Sequence, residues 1–237
     1  MFRALFATLV AAQVAYSRIP EERRVPATRA IVCLMLGTSL AEAAQARGRR
    51  GAGMVAGAGA LGFGVELTGV ATGRPFGHYT YGPGLGPQVR GVPLLAAAAW
   101  AMMARPAWVV AGLVARTPLA RVVTAAGALT AWDVFLDPRM VREGYWTWPA
   151  GGRYEDVPLS NFAGWFATAA AVFAIWRLVE CDRPGGQDDG ALALYTWTWV
   201  GETFAGAVLW RRPRVALAGG AAMGAFAAPA LATRLRS

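Results

Sequence analysis

Three acidic residues lie within or at the ends of long apolar segments, where a carboxyl group is costly to bury. Glu66 and Asp133 fall in two such segments, and Asp137 follows Asp133 by one helical turn, so that one helix face carries both carboxyl groups. Ionisable residues in apolar membrane segments are expensive, and they therefore predict function. A buried carboxylic acid is suited to giving up a proton, which makes Glu66 and Asp133 candidate general acids.

Each acid also has a structural interpretation that the sequence leaves open. Glu66 or Asp133 could be paired with an arginine or a tryptophan. Asp137 precedes Pro138, where we expect the helix to stop, so it is either held by loop amides or acts as a second catalytic carboxylate. Glu202 lies in another apolar segment and is open between a structural and a functional role.

Two aromatic pairs accompany these acids. Tyr79 and Tyr81 flank a threonine, and Trp146 and Trp148 flank another threonine 67 residues further on. Such residues could form an aromatic belt at the membrane interface. Beside buried acids they could instead shield a cation and pack against a polyene. His78, the single histidine, is adjacent to the first pair and is either structural or part of the same site.

The aromatic pairs belong to a longer internal repeat, with copies predicted at about 51–115 and 118–182. Each copy consists of an apolar helix ending in an acid, a glycine-rich aromatic loop, and a Val-Pro-Leu sequence that opens the next helix. Because each copy holds two helices, the loops 70–91 and 138–157 are predicted to emerge on the same side of the membrane. Both loops could then roof one cavity, with Glu66 and Asp133 at similar depths.

The composition indicates a membrane protein. Of the 237 residues 56% are apolar and only 16% are charged. Eight apolar segments are separated by short polar stretches, the first being the least secure, and lipid requires each to be helical. We therefore predict an all-α, multi-pass bundle of seven or eight helices in the cell membrane, forming one domain over residues 1–237. The polar, glycine-rich segment 182–190 is predicted to be an exposed loop.

Charge and motif patterns argue against several other functions. All 23 basic residues are arginines spread between the apolar segments, which suits anionic lipid headgroups rather than nucleic acid. Residues 57–62 match a dinucleotide fingerprint, but no strand precedes them, so we interpret these glycines as a helix-packing face shared with Glu66. Cys33 and Cys181 have no metal-ligand spacing. We predict no metal site and no cofactor.

Several longer motifs resemble one protein family. They are Glu66-Leu-x-Gly, Pro75-Phe-Gly-x-Tyr-x-Tyr81, Leu85-Gly-Pro87, Val92-Pro-Leu94, Asp133-x-x-x-Asp-Pro138, Gly144-x-Trp-x-Trp148 and Val157-Pro-Leu-Ser-Asn-Phe-x-Gly-Trp165. Together these motifs, over residues 30–210, resemble the membrane carotenoid biosynthesis protein family, which includes bisanhydrobacterioruberin hydratase and hydratases of γ-carotene-type carotenoids. The acidic Glu155-Asp156 pair departs from the bulkier or neutral residues expected there.

The resemblance implies carotenoid chemistry without fixing the end group. In a hydratase, Asp133 or Glu66 would protonate a terminal alkene, and Asp137 and Asn161 would position the water that adds to the cation. Aromatic side chains would surround the substrate, and the candidates are Tyr79, Tyr81, Trp146, Trp148 and Trp165. A carotenoid cyclase would begin with the same protonation in a drier pocket.

A lipophilic-substrate transporter or a pigment scaffold is the alternative of a different class, since paired interrupted helices also line transport pathways. The expected partners are the carotenoid and membrane lipid, with possible homo-oligomers or association with other carotenoid enzymes.

Overall fold

The computed structural model describes residues 1–180 and 185–236, and the described part is an all-α bundle of seven helices. The helices are α1 Phe2–Tyr16, α2 Glu21–Thr72, α3 Ala96–Val114, α4 Pro118–Arg142, α5 Leu159–Val179, α6 Asp189–Phe204 and α7 Pro213–Leu235. A short π-helix, Ala205–Leu209, directly continues α6. In the described part of the chain, five helices are long and apolar enough to cross a membrane, namely α2, α3, α4, α5 and α7.

Two of the eight predicted segments are joined in α2. The 52-residue helix is interrupted at Gly48, whose backbone is non-helical at φ 61° and ψ −151°. Glycine adopts positive φ without the steric penalty of a side chain, which explains a kink at this residue. Residues 1–180 and 185–236 therefore form seven helices, with α2 consisting of two helical parts.

The centre of the bundle is α3, which is rich in alanine and packs against α2, α4, α6 and α7. Small side chains let the helix backbones approach closely. A Cβ atom at Gly59 of α2 would lie only 3.2 Å from the Ala101 side chain, and one at Gly62 would collide with the Trp100 ring. As the sequence predicts, the glycine face that precedes Glu66 packs against another helix.

The predicted helix end at Pro138 is wrong, because α4 continues to Arg142. A proline inside a helix has no N–H to donate to the carbonyl one turn earlier. Here the hydroxyl of Tyr154 donates to the Val134 carbonyl at 3.1 Å and satisfies that acceptor. Burial is the main cause that raises the pKa of Tyr154 to about 12, so this hydroxyl keeps its proton. Asp137 consequently lies within a helix and not at its end.

The two loops predicted to lie together do so through a short antiparallel pairing. Strand β1, Thr80–Tyr81, and a strand at Trp146–Thr147 are hydrogen-bonded with Thr80 opposite Thr147. These two threonines are the residues that the 67-residue offset makes equivalent. A second hairpin, of strands Gln88–Val89 and Val92–Pro93, completes the first loop. The loops therefore meet at one end of the bundle, beside the C-terminal ends of α2 and α4.

A buried ionic network occupies the other end and includes Asp188, so the prediction of an exposed 182–190 loop is wrong for this residue, whereas Gly185, Gln187 and Asp189 are exposed. Asp188 is 2% exposed, and its carboxylate pairs with Arg105 and with Arg47, the latter at 2.9 Å. Arg105 also pairs with Glu42 at 3.1 Å and with Glu180 at 3.2 Å. Asp188 is buried because a fixed guanidinium within the bundle requires nearby carboxylates. Residues 181–184, including Cys181 and the end of the second predicted repeat copy, lie outside the described residues.

Candidate active site

Glu66 is a buried acid whose carboxyl group accepts hydrogen bonds from three neutral donors. Its Oε2 accepts hydrogen bonds from the hydroxyls of Tyr79 and Tyr81, the latter at 2.8 Å. Its Oε1 accepts the indole N–H of Trp100 at 3.0 Å. Hydrogen bonds to the charged form favour ionisation, so these donors make a suitable cage for a carboxylate.

The glycines around Glu66 provide the space in which these donors reach it. A Cβ atom at Gly69 would lie 2.7 Å from the Tyr79 hydroxyl and 2.9 Å from the Phe76 ring. Gly73 ends α2 in the left-handed conformation, at φ 74°, and this turns the chain back over the helix end. The Glu66-Leu-x-Gly sequence is therefore a local requirement of the first loop.

Both phenols that contact Glu66 stay protonated. Burial is the larger cause and the nearby Glu66 carboxylate the next, and together they raise the pKa of Tyr79 and of Tyr81 well above the ordinary value. A phenol held neutral in this way remains a donor throughout the physiological range. Tyr79 and Tyr81 can thus hold a carboxylate but are poorly suited to act as bases.

Asp133 and Asp137 form a second acidic group, joined by one amide. The Asn161 Nδ2 atom donates to Asp133 Oδ2 at 3.0 Å and also to Asp137 Oδ2. The indole N–H of Trp146 donates to Asp137 Oδ1 at 3.1 Å. Asp133 is completely buried, and its Oδ1 has no hydrogen-bond partner among the described residues. Asn161 lies in the first turn of α5, so this amide links α5 to the end of α4.

A small cavity separates Glu66 from Asp137. Its volume is about 20 Å³ for the centre of a water-sized sphere, and its walls also include Ala96, Ala99 and Asn161. A water molecule needs roughly 10–15 Å³ by this measure and at least two polar partners. The cavity thus has room for about one water, which both carboxyl groups could contact. Asp133 does not line the cavity and lies behind Asp137.

Aromatic rings form the rest of the cavity wall. Trp165 lines the cavity and is stacked on Trp100, with their ring centroids 3.9 Å apart. Two further ring contacts join the loops: Tyr79 with Trp148, and Tyr81 with Trp146. In both, the ring centroids are 5.7 Å apart. All four loop aromatics and Trp165 therefore surround the acids, as the sequence analysis expects for substrate contacts. Phe76, which the sequence analysis did not select although its motif was quoted, also lines the cavity.

No cation neutralises the acids of this pocket within the described ranges 1–180 and 185–236. Every ion pair of the described part involves other carboxyl groups. Glu202 is not part of this pocket, because it lies 3.7 Å from Arg139 in a separate cavity. His78 is exposed and rests against the turn at Gly73.

Comparison with known proteins places the chain in a protein family. The chain belongs to the carotenoid biosynthesis protein family, whose model matches residues 6–226. It is also similar to a bisanhydrobacterioruberin hydratase of Haloarcula japonica, with 31% identity over 128 residues. That match covers 52% of this chain and 43% of the relative, so the chain spans less than half of the relative's length. No solved structure matches the chain.

Proposed function

We propose that this protein is a carotenoid end-group hydratase of the cell membrane, which adds water to a terminal carbon–carbon double bond by acid catalysis. The observation that carries this proposal is the one-water cavity between Glu66 and Asp137. Family membership supports a carotenoid as the substrate. The name of the relative, a hydratase, supports the reaction type.

The proton would come from the Asp133–Asp137 group. Two neighbouring carboxylates without a cation cannot both be ionised at low cost, so the pair holds one proton between them. Asp137 is the donor because it lines the cavity, whereas Asp133 lies behind it and is bridged to it through Asn161. The sequence analysis expects Asp133 or Glu66 as the acid, and the cavity geometry favours Asp137 for the transfer itself.

Proton transfer from Asp137 to one alkene carbon would form a C–H bond and leave a tertiary cation on the other carbon. The electron-rich faces of Trp100, Trp165 and the loop aromatics would stabilise that cation. The water oxygen would then bond to the cation, and Glu66 would accept the proton that the water loses. Return of this proton to the aspartate pair restores the enzyme, and the net reaction is alkene plus water giving a tertiary alcohol.

Glu66 suits the role of base because three neutral donors orient its carboxyl group and would stabilise its charged form. The steps use only carboxyl groups and water, so we expect purified protein to keep its activity when a chelator is present. An isoprenoid end group is larger than the cavity, and binding must therefore part the aromatic wall. The stacked Trp100 and Trp165 rings are the contact that we expect to open.

Expression in a host that makes an acyclic or monocyclic carotene tests the proposal directly. We expect a product heavier by one water molecule, with the oxygen derived from labelled water. Asp137→Asn should form at least about a hundredfold less of this product at equal protein level. A product of unchanged mass but altered retention would support the cyclase, in which a neighbouring double bond traps the cation. Unchanged pigment would support a transporter or a scaffold.

A further inference from the structure

A second cavity lies apart from the acid pocket, at the same end of the bundle. It has a volume of about 290 Å³ and is bounded by α1, α4, α6 and the π-helix. Its outer wall is apolar and exposed, with Val14, Phe204 and Leu209 each roughly half accessible on the face that lipid would cover. Pockets of about 300 Å³ or more suit small ligands, so the space matches one end of a long lipid-soluble molecule.

One polar donor is presented to this cavity in a fixed orientation. The Gln13 side-chain oxygen accepts the indole N–H of Trp197 at 2.6 Å. Because an indole nitrogen only donates, the amide oxygen must face Trp197, which leaves the amide N–H₂ group as a donor. That group donates to no residue among those described. A hydroxyl or other oxygen of a ligand in the cavity would accept from it.

A guanidinium fixed by its neighbours forms the polar end of the cavity. Arg139 donates to Glu143 at 3.1 Å and pairs with Glu202 at 3.7 Å. It also lies over the rings of Tyr16 and Trp210, at 4.8 and 4.5 Å from their centroids. The cavity therefore combines an apolar, partly aromatic mouth with a small set of oriented polar groups.

A smaller cavity of about 60 Å³ extends this space towards the acid pocket. Both cavities share Gln13, Arg139 and Glu202 as lining residues. Trp132 lines the inner cavity, and its ring lies edge-on to the Trp165 ring, with centroids 6.3 Å apart. Trp165 lines the acid pocket, so a single aromatic contact separates the two regions.

We propose that this α1–α6 cavity binds the hydroxyl-bearing end of a linear isoprenoid, with Gln13 as the hydrogen-bond donor. The inference rests on the proposed function in one respect, namely that a tertiary isoprenoid alcohol is the product released beside this cavity. The hydrocarbon chain occupies the apolar mouth, and the hydroxyl lies at the polar end. The site is thus a holding site for the alcohol between the acid pocket and the lipid.

Photo-crosslinking tests this site without turnover. The probe is a diazirine-bearing isoprenoid alcohol, added to the full-length protein in detergent, with farnesol and its hydrocarbon counterpart farnesene as competitors. We expect crosslinks on peptides from α1 and from the segment 197–210, reduced by farnesol and not by farnesene. Loss of one hydrogen bond weakens binding by about tenfold or less, so Gln13→Leu should lower labelling by roughly fivefold.

Matched variants separate the donor from the fold. Trp197→Phe breaks the same internal hydrogen bond but keeps the Gln13 amide, and it should retain the preference for farnesol. Gly201→Leu should fill the cavity and abolish labelling, because a Cβ atom there meets only Trp197, at 3.9 Å. Gly64→Leu, at an open position of α2, is its control and should label normally.

Equal competition by farnesol and farnesene, or normal labelling of Gln13→Leu, would overturn the proposal. Crosslinks confined to other helices would do the same. These outcomes are independent of the hydratase reaction, since a protein that adds no water to any carotene can still show the selective labelling. Conversely, confirmed hydration without selective labelling would leave the reaction in place and remove this site.

Discussion

Buried carboxyl groups occur at both ends of the bundle, and the two groups are satisfied in different ways. At one end, Glu42, Glu180 and Asp188 surround Arg105, with Arg47 and Arg121 also within ion-pair distance of the group. At the other end, Glu66, Asp133 and Asp137 contact neutral donors only, within the described residues. The ends are about 28 Å apart along α5, from Asn161 to Glu180.

The difference separates a structural use of buried acids from a chemical one. Three arginines lie within ion-pair distance of three carboxyl groups in the Arg105 network, so the charges of this group are compensated within the bundle. Neutral donors stabilise a carboxylate less than a cation does, so a proton can move between neighbouring carboxyl groups. Acid catalysis needs the second arrangement, which is why we assign the reaction to the loop end.

Removal of the acids should give the largest effect and test the chemical side of the comparison. Glu66→Gln and Asp137→Asn keep the shape of each side chain but remove its proton-transfer group. General acid–base groups contribute about 10²–10⁴-fold, and we expect product formation to fall by that factor while the protein still accumulates in the membrane. Asp133→Asn should show a similar loss, because it removes the partner that shares the proton.

Product mass and protein level measured in the same cells provide the readout. Glu22→Gln, an exposed carboxyl group on α2, is the matched control and should behave like the wild type. Full activity in both Glu66→Gln and Asp137→Asn would remove the loop-end acids from the mechanism.

The structural side of the comparison is tested by Arg105→Met. This change leaves three buried carboxylates without their central cation, which typically costs about 3–5 kcal/mol. We expect a large drop in thermal stability and in accumulated protein, measured by a thermal shift in detergent. Arg3→Met, at an exposed site of α1, should change neither. A stable Arg105→Met protein that has lost only its activity would reverse the assignment of the two ends.

A single methyl group at Gly62 should disturb the acid pocket through packing. Because its Cβ would collide with the Trp100 ring, Gly62→Ala forces the indole away from Glu66. Overpacking of this kind costs about 1–3 kcal/mol. Gly64→Ala, two residues on in the same helix and open, should be stable and active. Equal behaviour of the two variants, in melting temperature and in product, would contradict the packing shown here.

The smallest expected effect comes from one donor to Glu66. Tyr81→Phe removes a hydroxyl that donates to the carboxylate at 2.8 Å. A hydrogen bond to a charged group is worth about 1.5–3 kcal/mol, so we expect the rate to fall by roughly ten- to a hundredfold. Thr80→Val, the adjacent exposed residue, serves as the control. A wild-type rate in Tyr81→Phe would show that Glu66 does not need this hydrogen bond for catalysis.

Much of the loop end follows from local pattern and could be predicted from sequence. The 67-residue offset predicts that the loops lie together, and Thr80 does pair with Thr147. The position of Glu66 after Gly62 on one helix face predicts that this acid faces a neighbouring helix. Whether the copies form a structural repeat over 51–115 and 118–182 stays a prediction, as does a possible homo-oligomer.

The Arg105 network could not be predicted in the same way. Its members are far apart in the chain, and the residues next to Arg105 and Asp188 in the sequence do not indicate a buried ionic network. Asp188 lies in a polar, glycine-rich segment typical of an exposed loop, yet it is buried against α3. The prediction that α4 ends at Pro138 is wrong for a related reason. The Tyr154 hydroxyl replaces the lost backbone donor, and it lies 20 residues along the chain from the Val134 carbonyl that accepts from it.

The sequence by itself determined the class of protein, the helical segments, and the acids and aromatic residues that could do chemistry. Hydrophobicity, helix periodicity and the repeat are local properties that survive without tertiary contacts. Only the tertiary structure decided which acids share a cavity, which have arginine partners, and that Asp137 rather than Asp133 reaches the water-sized space. The protonation and role of a buried carboxyl group depend on the few atoms within hydrogen-bonding distance, and folding brings those atoms from distant parts of the chain.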